Sequence, residues 1–430
     1  MKSQILKKER KYQNSDKKFK MKKSIIVLGG NSLHHGFEDI KKKLNINEII
    51  VIDWNENPAY QGDRFIQCDI KDFEKIKKMD IDWNCVQFVY TSADIAVKTQ
   101  ILLHRMLGLL SPDDNAVENA MIKGRSTECW RSAGILNKYS EVVSCIDDIR
   151  EELPIKIIVK PNCSSGSRNI TILDSGDMSR ENVEKAINNA KIISFDNKAI
   201  VEEFCEGTEF TVEMLGDNYG NVAVFGISKK YHTPYNTTNK IAVKLHYNPQ
   251  DIPNVEIENI SQFAQQCYKA VGLKNSFGHL EVIVTSEGKI VPVEIGARSS
   301  GYIATHLVDL INSKCFLEEY SKVIRNECVQ DGIVFDRDKS SMYYFYDIKP
   351  GISVAETNLT RYLPNGIVSY AYNRSNLIPN KQFLRLNADH ERVGFEILGG
   401  KRDCLTISAI CKAEELFEKA FLGEINAKIL

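Results

Sequence analysis

The stretch His279-Leu-Glu-Val-Ile-Val-Thr-Ser-Glu-Gly-Lys-Ile-Val-Pro-Val-Glu-Ile-Gly-Ala-Arg298 decides how this 430-residue chain is read. Residues 280–284 and 290–295 are apolar and rich in β-branched side chains. Each is predicted to be a strand, with Gly288 in the turn between them. If Thr285 pairs with Ile290, the same register sets Glu281 directly opposite Glu294. Like charges facing each other across a sheet are destabilising. A divalent cation between them removes that penalty, and a few carboxylate oxygens with a phosphate as co-ligand suit Mg²⁺. Arg298, four residues beyond Glu294, is placed to meet negative charge near the metal. The competing reading is an ordinary hairpin with one carboxylate in solvent, because the register is assumed.

Upstream, residues 155–160 read as a buried strand ending in Lys160. They run into Pro161-Asn-Cys-Ser-Ser-Gly-Ser-Arg-Asn169 and a second apolar stretch, 170–173. Ser164, Ser165, Gly166 and Ser167 let the backbone approach a ligand closely and offer amide and hydroxyl donors. With the Lys160 charge aimed at the same place, the loop suits a polyphosphate. No Gly-Lys-Ser/Thr opens a helix, so it is not a Walker A loop. A plain serine-rich turn is the alternative. Farther on, Ala199-Ile-Val-Glu-Glu-Phe-Cys-Glu-Gly-Thr-Glu-Phe-Thr-Val-Glu213 reads as strand, short crossover, strand. Such a crossover exposes backbone groups to an adenine edge, and Glu202 and Glu209 are acceptors for ribose hydroxyls.

In this order the motifs resemble the ATP-grasp superfamily, in the carboxylate–amine (amino-acid) ligase branch. Biotin carboxylase and carbamoyl phosphate synthetase are more distantly similar. The resemblance runs from Met21 to Leu430. Residues 158–168 are similar to the family's phosphate-covering loop, Val201–Glu209 to its adenine hinge, and His279-x-Glu281 with Glu294-Ile-Gly-Ala-Arg298-x-x-Gly301 to its metal strands. Lys123, ten residues before Ala133-Gly134-Ile135, resembles its first nucleotide lysine.

The resemblance implies that Lys123 and Lys160 contact the ATP phosphates, with Ser165, Gly166 and Ser167 folded over them. Glu202 and the backbone of Glu203, Phe204 and Cys205 would hold adenine, and Glu209 the ribose. Glu281 and Glu294 would bind Mg²⁺, with Mn²⁺ as the alternative ion. Arg298 would stabilise the transferring phosphoryl group, and Lys230 in Gly226-Ile-Ser-Lys-Lys-Tyr231 is a phosphate or substrate candidate. Two departures stand out. Gly296 replaces a common Asn, removing one oxygen ligand, and Asn169 replaces a common Gly, where Asn still tolerates left-handed geometry. The activity implied is phosphorylation of a small-molecule carboxylate and transfer of the acyl group to an amine. The alternatives are a bicarbonate-phosphorylating carboxylase or carbamoyl-phosphate-type enzyme and a non-catalytic ATP binder.

The fold class implied is α/β, more narrowly the α+β ATP-grasp architecture. A preATP-grasp Rossmann-like domain at 23–115 precedes a two-lobed ATP-grasp domain at 116–330, with its lid lobe at about 156–213. A C-terminal α/β cap follows at 331–430. Residues 24–28, 48–52 and 86–90 read as strands, the first two joined by a helix to about 44 and the third followed by one to about 109. Gly29-Gly30 with Asp53 is a poor match to a dinucleotide site, because Gly-x-Gly-x-x-Gly is absent. His34 and His35 could line the acceptor site. His279 shares a strand face with Glu281 and could orient it, or serve as a buried structural histidine. Tyr343, Tyr344 and Tyr346 read as core or rim.

A net charge of −1 argues against a general nucleic-acid binder. Eleven cysteines without a Cys-x-x-Cys pair read as reduced thiols in a cytoplasmic protein. No apolar run approaches the ~20 residues of a membrane span. Residues 1–22 form a basic tail expected to be solvated, and Met21 is an alternative start. Relatives are often dimers, and nothing in the sequence decides whether this chain forms a homodimer.

Overall fold

The computed structural model describes residues 22–30, 37–164, 166, 168–236, 241–300, 304–355, 363–387 and 391–423. Tail residues 1–21, His34, His35, Ser165, Ser167 and Gly301 lie outside the described residues. The first sheet holds β1 (Ser24–Leu28), β2 (Glu48–Asp53), β3 (Arg64–Gln67) and β4 (Val86–Thr91), in the order β3-β2-β1-β4. All its pairs are parallel. Every residue of β1 is buried, as a parallel strand covered on both faces should be. Three of the four strands follow the sequence reading. β3 does not, because Arg-Phe-Ile-Gln offers only four residues and no alternation.

The connections leave β1 in opposite directions along the sheet, so a crevice opens beyond the carboxyl ends of β1 and β4. Asp94 starts the single turn Asp94–Ala96 just past β4. Asp53 is spent on the backbone: its carboxylate accepts from the Gly30 amide at 2.6 Å and the Asn55 amide at 2.8 Å.

The second sheet is antiparallel and holds β5 (Ser140–Val143), β6 (Ile157–Pro161), β7 (Thr171–Leu173) and β8 (Ala199–Glu203), in the order β5-β8-β6-β7. The helix Arg180–Lys191 covers one face with Val183, Ala186, Ile187 and Ala190, spaced three or four apart. Ser179 caps it by accepting from the Asn182 amide at 3.2 Å.

The third sheet runs β13-β12-β9-β10-β11-β15-β17-β16, with β14 beside β10. Its strands are β9 (Thr208–Gly216), β10 (Val222–His232), β11 (Ala242–Tyr247), β12 (Ser276–Val284), β13 (Ile290–Gly296), β14 (Gly332–Ile333), β15 (Lys339–Phe345), β16 (Ile367–Asn373) and β17 (Phe395–Lys401). The segment 331–430 is therefore joined to the glutamate-bearing hairpin by one continuous sheet. It has its own small core, in which Met342, Tyr344, Tyr346 and Leu398 pack. Tyr343, Tyr344 and Tyr346 are all buried, so they are core rather than rim. Tyr268, on the helix Asn254–Ala270, lies against Gly216 and Gly278, where a Cβ would come within 2.5 and 2.6 Å of its ring. Those glycines let the helix seat directly on β9 and β12.

Glu281 does pair with Glu294, but not through the expected turn. Val284 pairs with Ile290, and the Thr285 amide donates to the Lys289 carbonyl at 2.9 Å. That register alone would set Glu281 opposite Val293. A β-bulge between Glu281 and Val282 changes it: Val282 faces Pro292, while Glu281 faces Glu294. Pro292 has no N–H to donate, and it sits on the edge strand beside the bulge, where proline is tolerated.

Candidate active site

One face of the third sheet is polar, because acids, bases and hydroxyls recur at every second residue. β9 contributes Glu209, Thr211 and Glu213, β10 contributes Ser228, Lys230 and His232, and β12 contributes His279 and Glu281. Adjacent registers bring these rows together: Ser228 pairs with Thr211, Glu281 with Thr211, and His279 with Glu213. The alternating residues Phe210, Val212 and Met214 point into the core.

The charges on this face neutralise one another. Lys230 Nζ lies 2.6 Å from both Glu209 and Glu281. His232 Nε2 lies 2.9 Å from the second oxygen of Glu209. Lys123, the first residue of the helix Lys123–Ser132, places Nζ 3.0 Å from Glu294 and 2.9 Å from the Ser164 carbonyl. The penalty expected from two facing carboxylates is thus relieved by two lysines, one per glutamate. Burial opposes charge in Lys123, Lys230, Glu209 and Glu281, yet the pairings win. Lys230 is held far above the usual lysine range by Glu209 and Glu281, and Glu209 and Glu281 are pulled down by Lys230. His279, against Glu213 at 2.7 Å, is raised to about 9 despite its burial.

A cleft separates the second and third sheets. Ile158, Ile170 and Ile172 line it from one side, Ile283 and Val293 from the other, and Phe204 and Cys205 close its end. Lys123, Lys160, Gly166, Glu209, Glu281 and Glu294 line its polar part. Gly166 has φ +79°, a left-handed conformation that favours glycine in this loop.

Two expected contacts are replaced by others. Glu202 does not line the cleft: it is 2% exposed and ion-paired to Lys160 and, at 3.3 Å, to Lys138. Glu203 is exposed and also stands outside the cleft. Arg298 does not reach the glutamate pair. Its Nε and Nη2 donate to the two oxygens of Asp94 at 2.6 and 2.7 Å, and its Nη1 to the Ser299 carbonyl at 2.9 Å. Asp94 and the arginine together tie the crevice of the first sheet to the third. The sequence reading missed Lys138, His232 and Glu213 as members of this network. For His232 and Glu213 a signal existed, since each stands at an even spacing from Lys230 or Glu209 on its strand. Lys138 gave none.

Residues 153–306 match the family described as ATP-grasp domain. Over that stretch the chain resembles the ATP-grasp domain family. It is similar to the D-alanine–D-alanine ligase of Ruthia magnifica subsp. Calyptogena magnifica, at 24% identity over 204 residues, covering 45% of this chain and 64% of the relative. The ligase of the same name from Buchnera aphidicola subsp. Schizaphis graminum is 21% identical over 290 residues, covering 64% and 89%. A further one, from Actinobacillus succinogenes, is matched over 57% of its length. The match thus spans less than two thirds of two of these curated relatives. The ATP-grasp architecture is also seen in structure. An L-amino acid ligase from Bacillus licheniformis superposes with TM-score 0.70 at 14% identity, covering 93% of this chain and 98% of its own. Phosphoribosylglycinamide synthetase from Anaerococcus prevotii superposes with TM-score 0.64 at 17% identity, covering 94% and 99%. Both likenesses show the fold.

Among the described residues, no group of three or more His, Cys, Asp or Glu side chains could by itself hold a metal ion. Glu281 and Glu294 still fit Mg²⁺, since hard oxygen donors facing each other need only phosphate oxygens and water to complete a shell. No described helix is long and apolar enough to cross a membrane.

Proposed function

We propose that this chain is an ATP-dependent ligase that activates a small-molecule carboxylate as an acyl phosphate and transfers the acyl group to an amine, releasing ADP and phosphate. The observation that carries this reading is the apolar slot between two sheets that opens onto Glu281, Glu294, Lys123 and Lys160. Ile158, Ile172, Phe204 and Ile283 suit the faces of a purine, and Cys205 and Gly207 of the crossover after β8 line the same cleft. Lys123 and Lys160 supply positive charge for phosphates. Ser164, Gly166 and Arg168 line the same cleft, where they would limit the water that otherwise hydrolyses an acyl phosphate. Mg²⁺ held by Glu281 and Glu294 would supply charge neutralisation at the phosphates.

A carboxylate is a poor electrophile because its leaving group is oxide. Phosphorylation supplies a good leaving group, and the protein's part is to position both partners and neutralise charge. The eleven cysteines are unpaired, which fits work in a reducing compartment such as the cytoplasm.

The test is release of ADP and phosphate from Mg-ATP across pools of amino acids and other carboxylates, with mass spectrometry of the products. A product mass equal to two substrates less water supports the reading. ADP release with bicarbonate alone overturns it. Lys160→Met and Glu294→Gln are expected to lose turnover by more than a hundredfold, and wild-type turnover in either would remove these residues from the site.

A further inference from the structure

We propose that Glu213 is a positioning residue: from beneath the opposed glutamates it sets the direction of Glu281 through His279 and the placement of the Arg298 turn through Ser300. This rests on the ligase reading above.

Glu213 is fully buried in the middle of β9. Its Oε1 lies 2.7 Å from His279 Nδ1 and accepts from the Tyr247 hydroxyl at 3.2 Å. Its Oε2 accepts from the Ser300 amide at 3.3 Å. The other imidazole nitrogen, His279 Nε2, faces Glu281 Oε1 at 3.6 Å. One carboxylate therefore engages β12, β11 and the segment that follows Arg298.

Burying a carboxylate costs several kcal/mol unless donors surround it, and here three do. Glu213 stands on the polar face of β9, while Phe210, Val212 and Met214 on the same strand pack as ordinary core. The arrangement does fix direction. An imidazole pinned at one nitrogen by a carboxylate has a fixed ring plane, and so a fixed line from its second nitrogen. That line ends on Glu281, the carboxylate that shares the metal position with Glu294. The Ser300 contact gives the same carboxylate a hold on the turn bearing Arg298.

The test uses the full chain and its Glu213→Gln, His279→Gln and double variants. Mn²⁺ binding in the presence of a non-hydrolysable ATP analogue is read by electron paramagnetic resonance, and thermal melting is followed alongside. The expected result is Mn²⁺ affinity weakened about tenfold or more in each single variant, the size typical of losing an outer-shell partner. The double variant should be no weaker than the singles, because both act through one chain of contacts. Affinity within twofold of wild type in both singles overturns the proposal. So does a double variant whose losses add. If Glu213→Gln does not fold, His279→Gln and Glu213→Asp read the same quantity. A wild-type chain that binds no Mn²⁺ with nucleotide would overturn the ligase reading itself, a separate and recognisable failure.

Discussion

Replacing Glu202 by Gln tests how the second sheet carries charge. Glu202 lies between Lys138 and Lys160, whose side chains are only 8% and 6% exposed. Burial pushes the carboxyl up, but the two ammonium groups override it and hold it at about 2, against an ordinary value of 4.5. That displacement corresponds to about 3 kcal/mol of folded-state stability at neutral pH. The sign follows from the depression: the stability is fully present above pH 4.5 and is lost as pH falls through about 2. Roughly 1.4 kcal/mol of it is gone by pH 3.5. Glu202→Gln removes the charge and strands two buried lysines, so the expected loss at pH 7 is about 3–5 kcal/mol. Urea unfolding of both proteins at pH 7 and pH 3.5 measures it. The gap between them should shrink by roughly 1.4 kcal/mol at the lower pH. A gap below about 1 kcal/mol at pH 7, or one that does not shrink, would refute the reasoning.

Three further outcomes are expected. Asp94→Asn leaves Arg298 buried without its bidentate partner and should cost about 3 kcal/mol in urea unfolding; a cost under 1 kcal/mol would show the pair to be incidental. His104 is fully buried, its Nε2 3.0 Å from the Val89 amide nitrogen, and burial lowers it to about 4. Its contribution, about 3 kcal/mol, is present above the unfolded histidine range and lost as pH falls toward 4, so His104→Gln should flatten the stability slope between pH 6.5 and 4.5. Gly207→Ala would place a Cβ 2.3 Å from the Val284 carbonyl oxygen, against backbone that cannot yield cheaply. Its melting temperature should drop by several degrees and nucleotide affinity should fall with it, since the crossover of Phe204 and Cys205 must move; an unchanged melting curve would contradict the close approach.

Much of the site was legible because β-strands alternate. The row of Glu209, Thr211 and Glu213 could be placed on one face from spacing alone, and so could His279 with Glu281. The pairing of Glu281 with Glu294 was also expected, though for an incomplete reason. The turn register is one residue different from the assumed one, and the bulge beside Pro292 restores the pairing. Bulges follow from how an edge strand twists against its neighbour, which the hairpin sequence does not specify locally.

The ion pairs were not legible. Asp94 and Arg298 are 204 residues apart and Lys230 and Glu209 are 21 apart, and each pair meets only after separate strands have been ordered side by side. Lys138 gave no signal because a single lysine before a strand looks the same whether it ends in solvent or beside a buried carboxylate. The sequence by itself determined the two glutamate-bearing strands, the strand ending in Lys160 and the strands flanking the Phe204–Cys205 crossover, the alternation of their faces, and that small residues open a loop after Lys160. These depend on local steric preference and on a period of two. Only the tertiary structure decided that Lys123 and Lys230 meet the facing glutamates, that Arg298 is held by Asp94, and that Glu213 lies under His279. Those outcomes depend on strand order and on low-dielectric burial, where a charge must find whichever opposite charge the fold brings within about 3 Å.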